Sequence, residues 1–317
     1  MSHDMSYTTE EIAKLLKISK LTVYDLIKKG ELPSYRVGKQ MRVDAADLEA
    51  YKQRARMVAI PANPPVEARS PVHAQPLASL SPNRPIVITG HDIGLDILAK
   101  HMEKSIPGIR PLRSFVGSLD SLISMYKGES DIVSTHLLDG DTGEYNLPYI
   151  RKLLVGASYV VVNLLTRSAG LYVKQGNPLG LNQWSDLSRP GLRLVNRERG
   201  SGARVLLDEQ LRLHGIKPAQ LAGYDHEQTN HLGVAMKVAS GEADVGVGIE
   251  KAAHIVGQID FIPLIRERYD LVMLKTPANQ AWLPTLLQIL QSEAFKKELQ
   301  AIPGYDLSRT GDILFEA

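Results

Sequence analysis

The sequence predicts an α/β protein in which a small helical head precedes a larger body, and three observations predict it. Residues 7–52 alternate short helical patterns with one basic hairpin. Seven of the chain's 18 prolines then fall within the 29 residues 57–85, without helical or strand periodicity, which reads as a semi-rigid linker. From Pro85 onward a short apolar strand, a glycine or small polar turn and a helix recur, the signature of α/β lobes with mostly parallel sheets.

In the head, Thr8-Thr9-Glu10-Glu11 is a capping box in which the Thr8 hydroxyl and Glu11 carboxylate satisfy opposite backbone donors. It starts a helix from about Thr9 to Leu16, with Ile12, Leu15 and Leu16 expected inside. Ser19 can cap a second helix, Lys20–Lys29, whose Val23, Leu26 and Ile27 face inward and which Gly30 ends. Pro33, the alternating Ser34–Val37, the turn at Gly38-Lys39-Gln40 and Met41–Val43 describe the hairpin. Asp44 then caps a third helix carrying Leu48 and Tyr51. Helix, short turn, helix is the layout of a DNA reader.

In the body, Ile86–Ile88 runs into Thr89-Gly90-His91-Asp92 and a helix over Leu95–Lys104. Arg113–Phe115 runs into Gly117-Ser118 and a helix over Leu119–Lys127. Asp131–Val133 ends at Ser134-Thr135-His136, and Asp244–Val247 ends at Gly248 before the helix Ile249–Val256. The stretch Leu192–Asp208 repeats the unit most clearly: an apolar strand stops at Asn196, Gly200-Ser201-Gly202 turns, and Val205, Leu206 and Leu207 open a helix. Ligands of such sheets bind beyond the carboxyl ends of the strands, where Thr89, Ser118, Thr135 and Ser201 all fall. Helix N-termini, hydroxyls and the nearby guanidiniums of Arg197 and Arg204 together suit an oxyanion. The glycines are equally consistent with a tight turn alone, each hydroxyl with a helix cap, and Arg204 with an ion pair to Asp208.

Composition narrows the classes. The 317 residues carry 37 Lys+Arg against 35 Asp+Glu; 11 of the basic and 8 of the acidic residues lie in 1–56, so the slight basic excess sits in the head. With no cysteine, disulfides, iron–sulfur clusters and thiolate zinc sites are excluded. The polar, acidic N-terminus is no secretion signal and no apolar run approaches the ~18 residues of a membrane span, so a cytoplasmic location without membrane partners is expected. The nine histidines include no HExxH or H-x-x-x-H spacing, and neither a nucleophile elbow nor a phosphate loop occurs. No catalytic residue, metal site or cofactor is expected. Asp139, Asp141 and Glu144 crowd one loop at a spacing that marks a turn.

The run YTTEEIAKLLKISKLTVYDLIKKGELPSYRVGKQMRVDAADLEAYK, with its TVY, G-x-L-P and R-V-G, resembles the excisionase-type winged helix-turn-helix, a relative of the MerR head. The resemblance implies a recognition helix within Lys17–Lys29 and a wing over Arg36–Arg42. Lys20, Thr22, Tyr24, Lys28, Arg36, Lys39 and Arg42 are then the residues expected to meet double-stranded operator DNA. The body resembles type II periplasmic-binding proteins of the branch fused to DNA-binding heads and related to molybdate and tungstate receptors. STHLLDGDTGEYNLPYI at 134–150, NRERGSGARVLLDE at 196–209, HLGVAMKVASGEADVGVGIE at 231–250 and FIPLIRERYDLV at 261–272 carry the likeness.

That resemblance implies two lobes joined by crossover strands near Val160–Leu165 and Phe261–Val272, and it adds Asn230 and Tyr269 to the ligand residues Thr89, Ser118, Thr135, Arg197, Ser201, Gly202 and Arg204. The expected organisation is a head over 1–56, a linker over 57–85 and a receptor over 86–317, with lobe I at about 86–163 and 262–317 and lobe II at about 164–261. The chain is thus expected to be a homodimeric, one-component transcriptional regulator sensing a cytosolic oxyanion such as molybdate or tungstate. A regulator of a small organic or phosphorylated metabolite, or a carrier protein of molybdenum or tungsten cofactor metabolism, stays open as an alternative.

Overall fold

The first two helices of the N-terminal unit start where the sequence supplies a capping side chain. The computed structural model describes residues 6–16, 18–28, 32–38, 40–58 and 85–317, and the chain divides into two units, Met1–Pro76 and Leu77–Ala317. Strand β1 (Ser6–Thr8) leads into α1 (Thr9–Leu16), where the Thr8 amide donates to Glu11 Oε2 at 2.8 Å and the Glu11 amide to Thr8 Oγ1 at 3.3 Å. Ser19 Oγ accepts from the Thr22 amide at 3.1 Å and opens α2 (Lys20–Lys28). The hairpin β2 (Tyr35–Val37) and β3 (Gln40–Asp44) follows, and β1 pairs antiparallel with β3 as a third strand that periodicity did not reveal.

Asp44, expected to cap the last helix of the unit, α3 (Ala45–Val58), accepts from the Tyr35 hydroxyl at 2.9 Å and so ties β3 to β2. Ile12, Val23, Leu32, Val43 and Leu48 form the small core. Leu15, expected inside, is 51% exposed, because Ile12 and the half-buried Leu16 already fill the inward stripe of this two-turn helix. Lys17, Lys29, Gly30, Lys39 and the linker residues 59–84 lie outside the described residues.

The second unit is a single sheet shared by two lobes. Lobe I contains β4 (Ile86–Thr89), α4 (Gly94–Ser105), β5 (Pro111–Ser114), α5 (Ser118–Tyr126), β6 (Ile132–Thr135) and α6 (Leu147–Leu153). The long strand β7 (Tyr159–Lys174) crosses to lobe II, made of β8 (Leu194–Arg197), α7 (Gly202–Leu213), β9 (Glu227–Gln228), α8 (His231–Ala239), β10 (Val245–Ile249) and α9 (Glu250–Val256). Strand β11 (Ile259–Leu274) returns, and α10 (Leu283–Gln291), α11 (Glu293–Gln300), β12 (Tyr305–Asp306) and β13 (Ile313–Glu316) complete lobe I.

The sheet order is β5-β4-β6-β11-β7-β10-β8-β9, with β12 and β13 paired to β7. Strands within each lobe run parallel, as the alternating pattern requires. The crossover strands pair antiparallel with each other and with β6 and β10, which corrects the expectation of mostly parallel sheets. They are also longer than expected, 16 residues each, and stay paired from Tyr159–Leu274 to Lys174–Ile259. β7 is buried over most of its length, whereas β11 is continuously buried only over Tyr269–Met273 and is partly exposed over Asp260–Arg266. Separate cores fill the lobes, one around Leu95, Leu164, Leu271 and Phe295, the other around Leu171, Leu194, Leu207 and Val245. Among the described residues no helix is long and apolar enough to cross a membrane.

Gly170 lies where the β7–β11 register shifts between Pro263 and Ile265; a Cβ there would stand 2.0 Å from the Ile262 carbonyl oxygen. Since the obstacle is backbone of the paired strand, Gly170→Ala should cost about 1–3 kcal/mol of stability. Thermal unfolding should show a midpoint several degrees lower, and an unchanged midpoint would mean that the two strands slide freely past each other.

Candidate functional site

On the N-terminal unit, Lys20, Tyr24 and Lys28 recur every fourth residue along α2 and are exposed, whereas Val23 of the same helix is buried. Lys20 Nζ is held by Glu10 Oε1 at 2.5 Å, and the Thr22 hydroxyl contacts Ser19 Oγ at 2.8 Å. In the hairpin Arg36 is exposed, whereas Arg42 is half-buried and donates to Ser6 Oγ at 3.1 Å. Five of the seven residues expected to meet DNA, namely Lys20, Thr22, Tyr24, Lys28 and Arg36, are therefore exposed on this unit; Arg42 is turned partly inward and Lys39 lies outside the described residues.

In the second unit the strand ends converge on a cleft of about 280 Å³ between the lobes. Lobe I supplies the turn Gly90–Ile93, the start of α5 at Gly117-Ser118, Ser134 near the end of β6 and His136 just after it. Lobe II supplies Arg197, Ser201 and Gly202 around the start of α7, Asn230–Leu232 at α8, and Lys251 and Ile255 of α9. Arg167 and Tyr269 come from the crossover strands. A second depression of about 670 Å³ beside β8 has its cations already paired, Arg193 with Asp244 and Lys237 with Glu242.

Beneath the cleft lies a buried ion network. Arg167 NH1 is 2.6 Å from Asp92 Oδ2 and its Nε 2.6 Å from Glu267 Oε1; His136 Nδ1 is 2.9 Å from Glu267 Oε2, and the Tyr305 hydroxyl donates to Asp92 Oδ2 at 2.6 Å. Burial alone would raise Glu267, but His136 and Arg167 hold it down at about 2. The guanidinium also lies over the Tyr269 ring, 4.5 Å from its centroid, and His136 stacks on the other part of that ring at 5.1 Å. Burial lifts the Tyr269 hydroxyl to about 12, so it remains a neutral partner of Ser134 Oγ at 2.8 Å.

Several contacts cross between lobes. The Leu119 amide donates to the Gly200 carbonyl at 2.9 Å, the Gly140 amide to Glu209 Oε2 at 3.0 Å, and Arg212 NH2 lies 2.7 Å from Asp141 Oδ1. Gly202 meets His136 so closely that a Cβ would stand 2.4 Å from its imidazole, which explains a glycine at the first position of α7. The Asp139–Glu144 loop is the turn expected, with the Asp139 amide bonded to the Glu144 carbonyl at 2.9 Å.

Of the nine expected ligand residues, Ser118, Arg197, Ser201, Gly202, Asn230 and Tyr269 line the cleft, and Thr89, Thr135 and Arg204 do not. Thr89 Oγ1 contacts Ser130 Oγ at 2.9 Å beneath the sheet, and Thr135 Oγ1 is buried without a partner among the described residues. Successive strand residues face opposite sides, so Ser134, one residue earlier than Thr135, reaches the cleft instead. Arg204 is taken up by Asp208 at 3.2 Å, Glu227 at 3.0 Å and the Arg197 carbonyl at 3.2 Å. Arg197 itself is forked onto Glu198 at 2.7 Å twice. Ser201 Oγ donates to the Glu198 carbonyl and accepts from the Arg204 amide, and Asn230 Oδ1 caps α8 through the Gly233 amide. Asp92, Arg167, His91, His136, His231, Lys251 and Glu267 were not singled out from sequence as ligand or site residues; only their charge within apolar strands or at strand ends could have marked Arg167, Glu267 and Asp92.

Residues 99–291 match the PBP superfamily domain and residues 6–56 a helix-turn-helix domain. The Bacillus subtilis protein named uncharacterized protein YvgK is 49% identical over 316 residues, spanning the whole of both chains. Among solved structures, the sulfate-binding protein SubI from Mycobacterium tuberculosis is 15% identical with a TM-score of 0.50, over 70% of this chain and 86% of that one. EhuB in complex with hydroxyectoine is 13% identical with a TM-score of 0.51, over 69% and 88%. At these identities the two structures establish the fold of the second unit, which is the two-lobed α/β architecture the sequence predicts.

Two predictions follow from the site's bonding. Because the Ser201 hydroxyl serves as the α7 cap, Ser201→Ala should lower stability by about 1 kcal/mol, read by denaturant unfolding. Glu267, depressed from an ordinary 4.5 to about 2, contributes stability that is complete above 4.5 and lost as the pH falls through 2. Glu267→Gln should cost about 3–5 kcal/mol at neutral pH by stranding a buried cation. It should also flatten the acid limb of a stability–pH profile. Asp270, raised by burial, works in the opposite sense and should survive in the mutant profile as stability gained on acidification.

Proposed function

Because this chain belongs to the PBP superfamily and carries a helix-turn-helix domain N-terminal to that fold, we propose that it is a cytoplasmic one-component regulator whose cleft binds a small anionic effector and whose head binds operator DNA. The observation that carries this reading is the cleft between lobes, onto which the starts of α5, α7 and α8 open and which Lys251 of α9 and three histidines also line. Amide N–H groups in the first turn of a helix have no partner within it and favour anions. Molybdate or tungstate is the first effector considered, from the sequence resemblance. The solved structures of this fold named above hold sulfate in one name and hydroxyectoine in the other, so the fold does not choose between inorganic and organic ligands.

A second reading, an organic or phosphorylated anion, is favoured by size. About 280 Å³ is generous for a single tetrahedral ion when a water needs only ~10–15 Å³ of such space. Ile93, Val116, Leu232, Ile249 and Ile255 add an apolar wall that an inorganic ion would not use. Titration calorimetry of the full chain with molybdate, tungstate, sulfate, phosphate and glycerol phosphate separates these effectors.

The head is tested by gel shift on DNA upstream of its own gene. Arg36→Ala should flatten the salt dependence of binding by about one counterion, and Thr22→Ala should alter sequence preference. A head of this size reads few base pairs, so two copies on paired half-sites are expected. Effector and operator should change each other's affinity by the same factor; two factors of one, with both binding well, would show that the cleft does not gate the head.

A further inference from the structure

Resting on the reading of the cleft as the effector site, we infer that three imidazoles, His91, His136 and His231, receive the anion and that His91 and His231 between them take up one proton from solvent as it binds. They come from both lobes: His91 follows β4, His136 follows β6 and His231 is the first residue of α8, and all three line the cleft. The cleft's guanidiniums are already committed. Arg167 is shared by Asp92 and Glu267, and Arg197 is forked onto Glu198, so an arriving anion must be met by other groups.

His231 is the clearest of those groups. Its Nδ1 is buried with no hydrogen-bond partner among the described residues, a costly arrangement for an imidazole unless a ligand completes it. Among the described residues, His91 is ion-paired with Glu198 at 3.8 Å, and that carboxylate is occupied by Arg197. His136 Nδ1 lies 2.9 Å from Glu267 Oε2 as an ion-pair contact without hydrogen-bond geometry, and Nε2 is its other ring nitrogen.

The charged groups around these rings all bear on protonation. His231 feels Arg197 of β8, Arg167 of β7, His136 and His91. His91 feels Arg197, Glu198, His136 and Arg113; Lys251 of α9 and Asp92 complete the charged lining, with Glu267 held behind it by His136 and Arg167. Burial first, and then Arg197, holds both His231 and His91 below the ordinary imidazole range, so both are neutral near neutral pH. A dianion placed among them cancels the field of Arg197 and favours imidazolium. The balance is dianion plus neutral imidazole plus one proton from the buffer, giving an anion–imidazolium pair. No bond in the ligand is broken. The sign follows: affinity rises as pH falls across the interval between the anion-free and anion-bound imidazole values.

The test uses the full chain with sulfate and molybdate, which stay dianionic near neutral pH, so any proton taken up belongs to the protein. Calorimetric titrations in buffers of small and large ionisation enthalpy should give binding enthalpies that differ by the equivalent of roughly one proton, with affinity falling up to about tenfold per unit rise in pH. His231→Asn keeps a neutral hydrogen-bonding group that cannot titrate. It should bind more weakly than wild type and lose most of the pH slope. Equal enthalpies in the two buffers, or an undiminished slope in His231→Asn and His91→Asn alike, would overturn the inference while leaving the effector site standing. Should neither dianion bind the wild-type chain, the inorganic-effector reading falls and this inference falls with it. The wild-type comparison needs no variant, so a destabilised mutant does not leave the question open.

Discussion

Arg167 organises the second unit. Its guanidinium, 4% exposed, sits on one crossover strand, bonds Glu267 on the other and Asp92 at the turn between β4 and α4. Placing such a charge under a sheet is expensive, and replacing it by apolar groups could yield a tighter core. What the network supplies is position. Through Asp92 it fixes the Tyr305 hydroxyl, through Glu267 it orients His136, and through its face it stacks on Tyr269. One cation thus sets the floor of the cleft from four separate parts of the chain.

This arrangement also decides what kind of recognition is left to a ligand. Two guanidiniums line the cleft, yet each is neutralised by carboxylates of its own chain. Had they been unpaired, a bound anion would gain a salt bridge and little else would be selective. With the guanidiniums spent, discrimination falls to helix amides, Lys251 and imidazoles, whose donors have fixed directions and whose charge depends on surroundings. Desolvation lowers Lys251 as well, so even the aliphatic cation is sensitive to the charge placed beside it.

Local features of this fold were legible because their partners lie within a few residues. The Thr8–Glu11 box, the Ser19 and Ser201 caps, and the strand–turn–helix units can each be read from spacing. The ion network could not be, since Arg167 meets partners 75 and 100 residues away and periodicity carries no information about such pairs. The ligand residues fell between these cases. Choosing the strand ends was right in outline, but a one-residue step reverses the face, so Thr135 was preferred where Ser134 reaches the cleft. Arg204 was misplaced for another reason: its i+4 neighbour Asp208 and the distant Glu227 together hold it away from the ligand.

The contacts that join the lobes bear on how a ligand could act. The Leu119–Gly200 hydrogen bond, the Gly140–Glu209 bond and the exposed Arg212–Asp141 pair belong to the protein alone, and each is of a kind with a small net contribution. Apolar side chains join the lobes as well: Leu138 and Tyr145 of lobe I belong to the core around Leu171 and Leu207, and Val205 of α7 packs against the core around Leu122 and Ile150. Gly202 abuts His136 across the cleft, where an added methyl group would stand 2.4 Å from the imidazole, so the closeness of that contact, rather than any bonded chemistry, limits how near α7 can come to the end of β6.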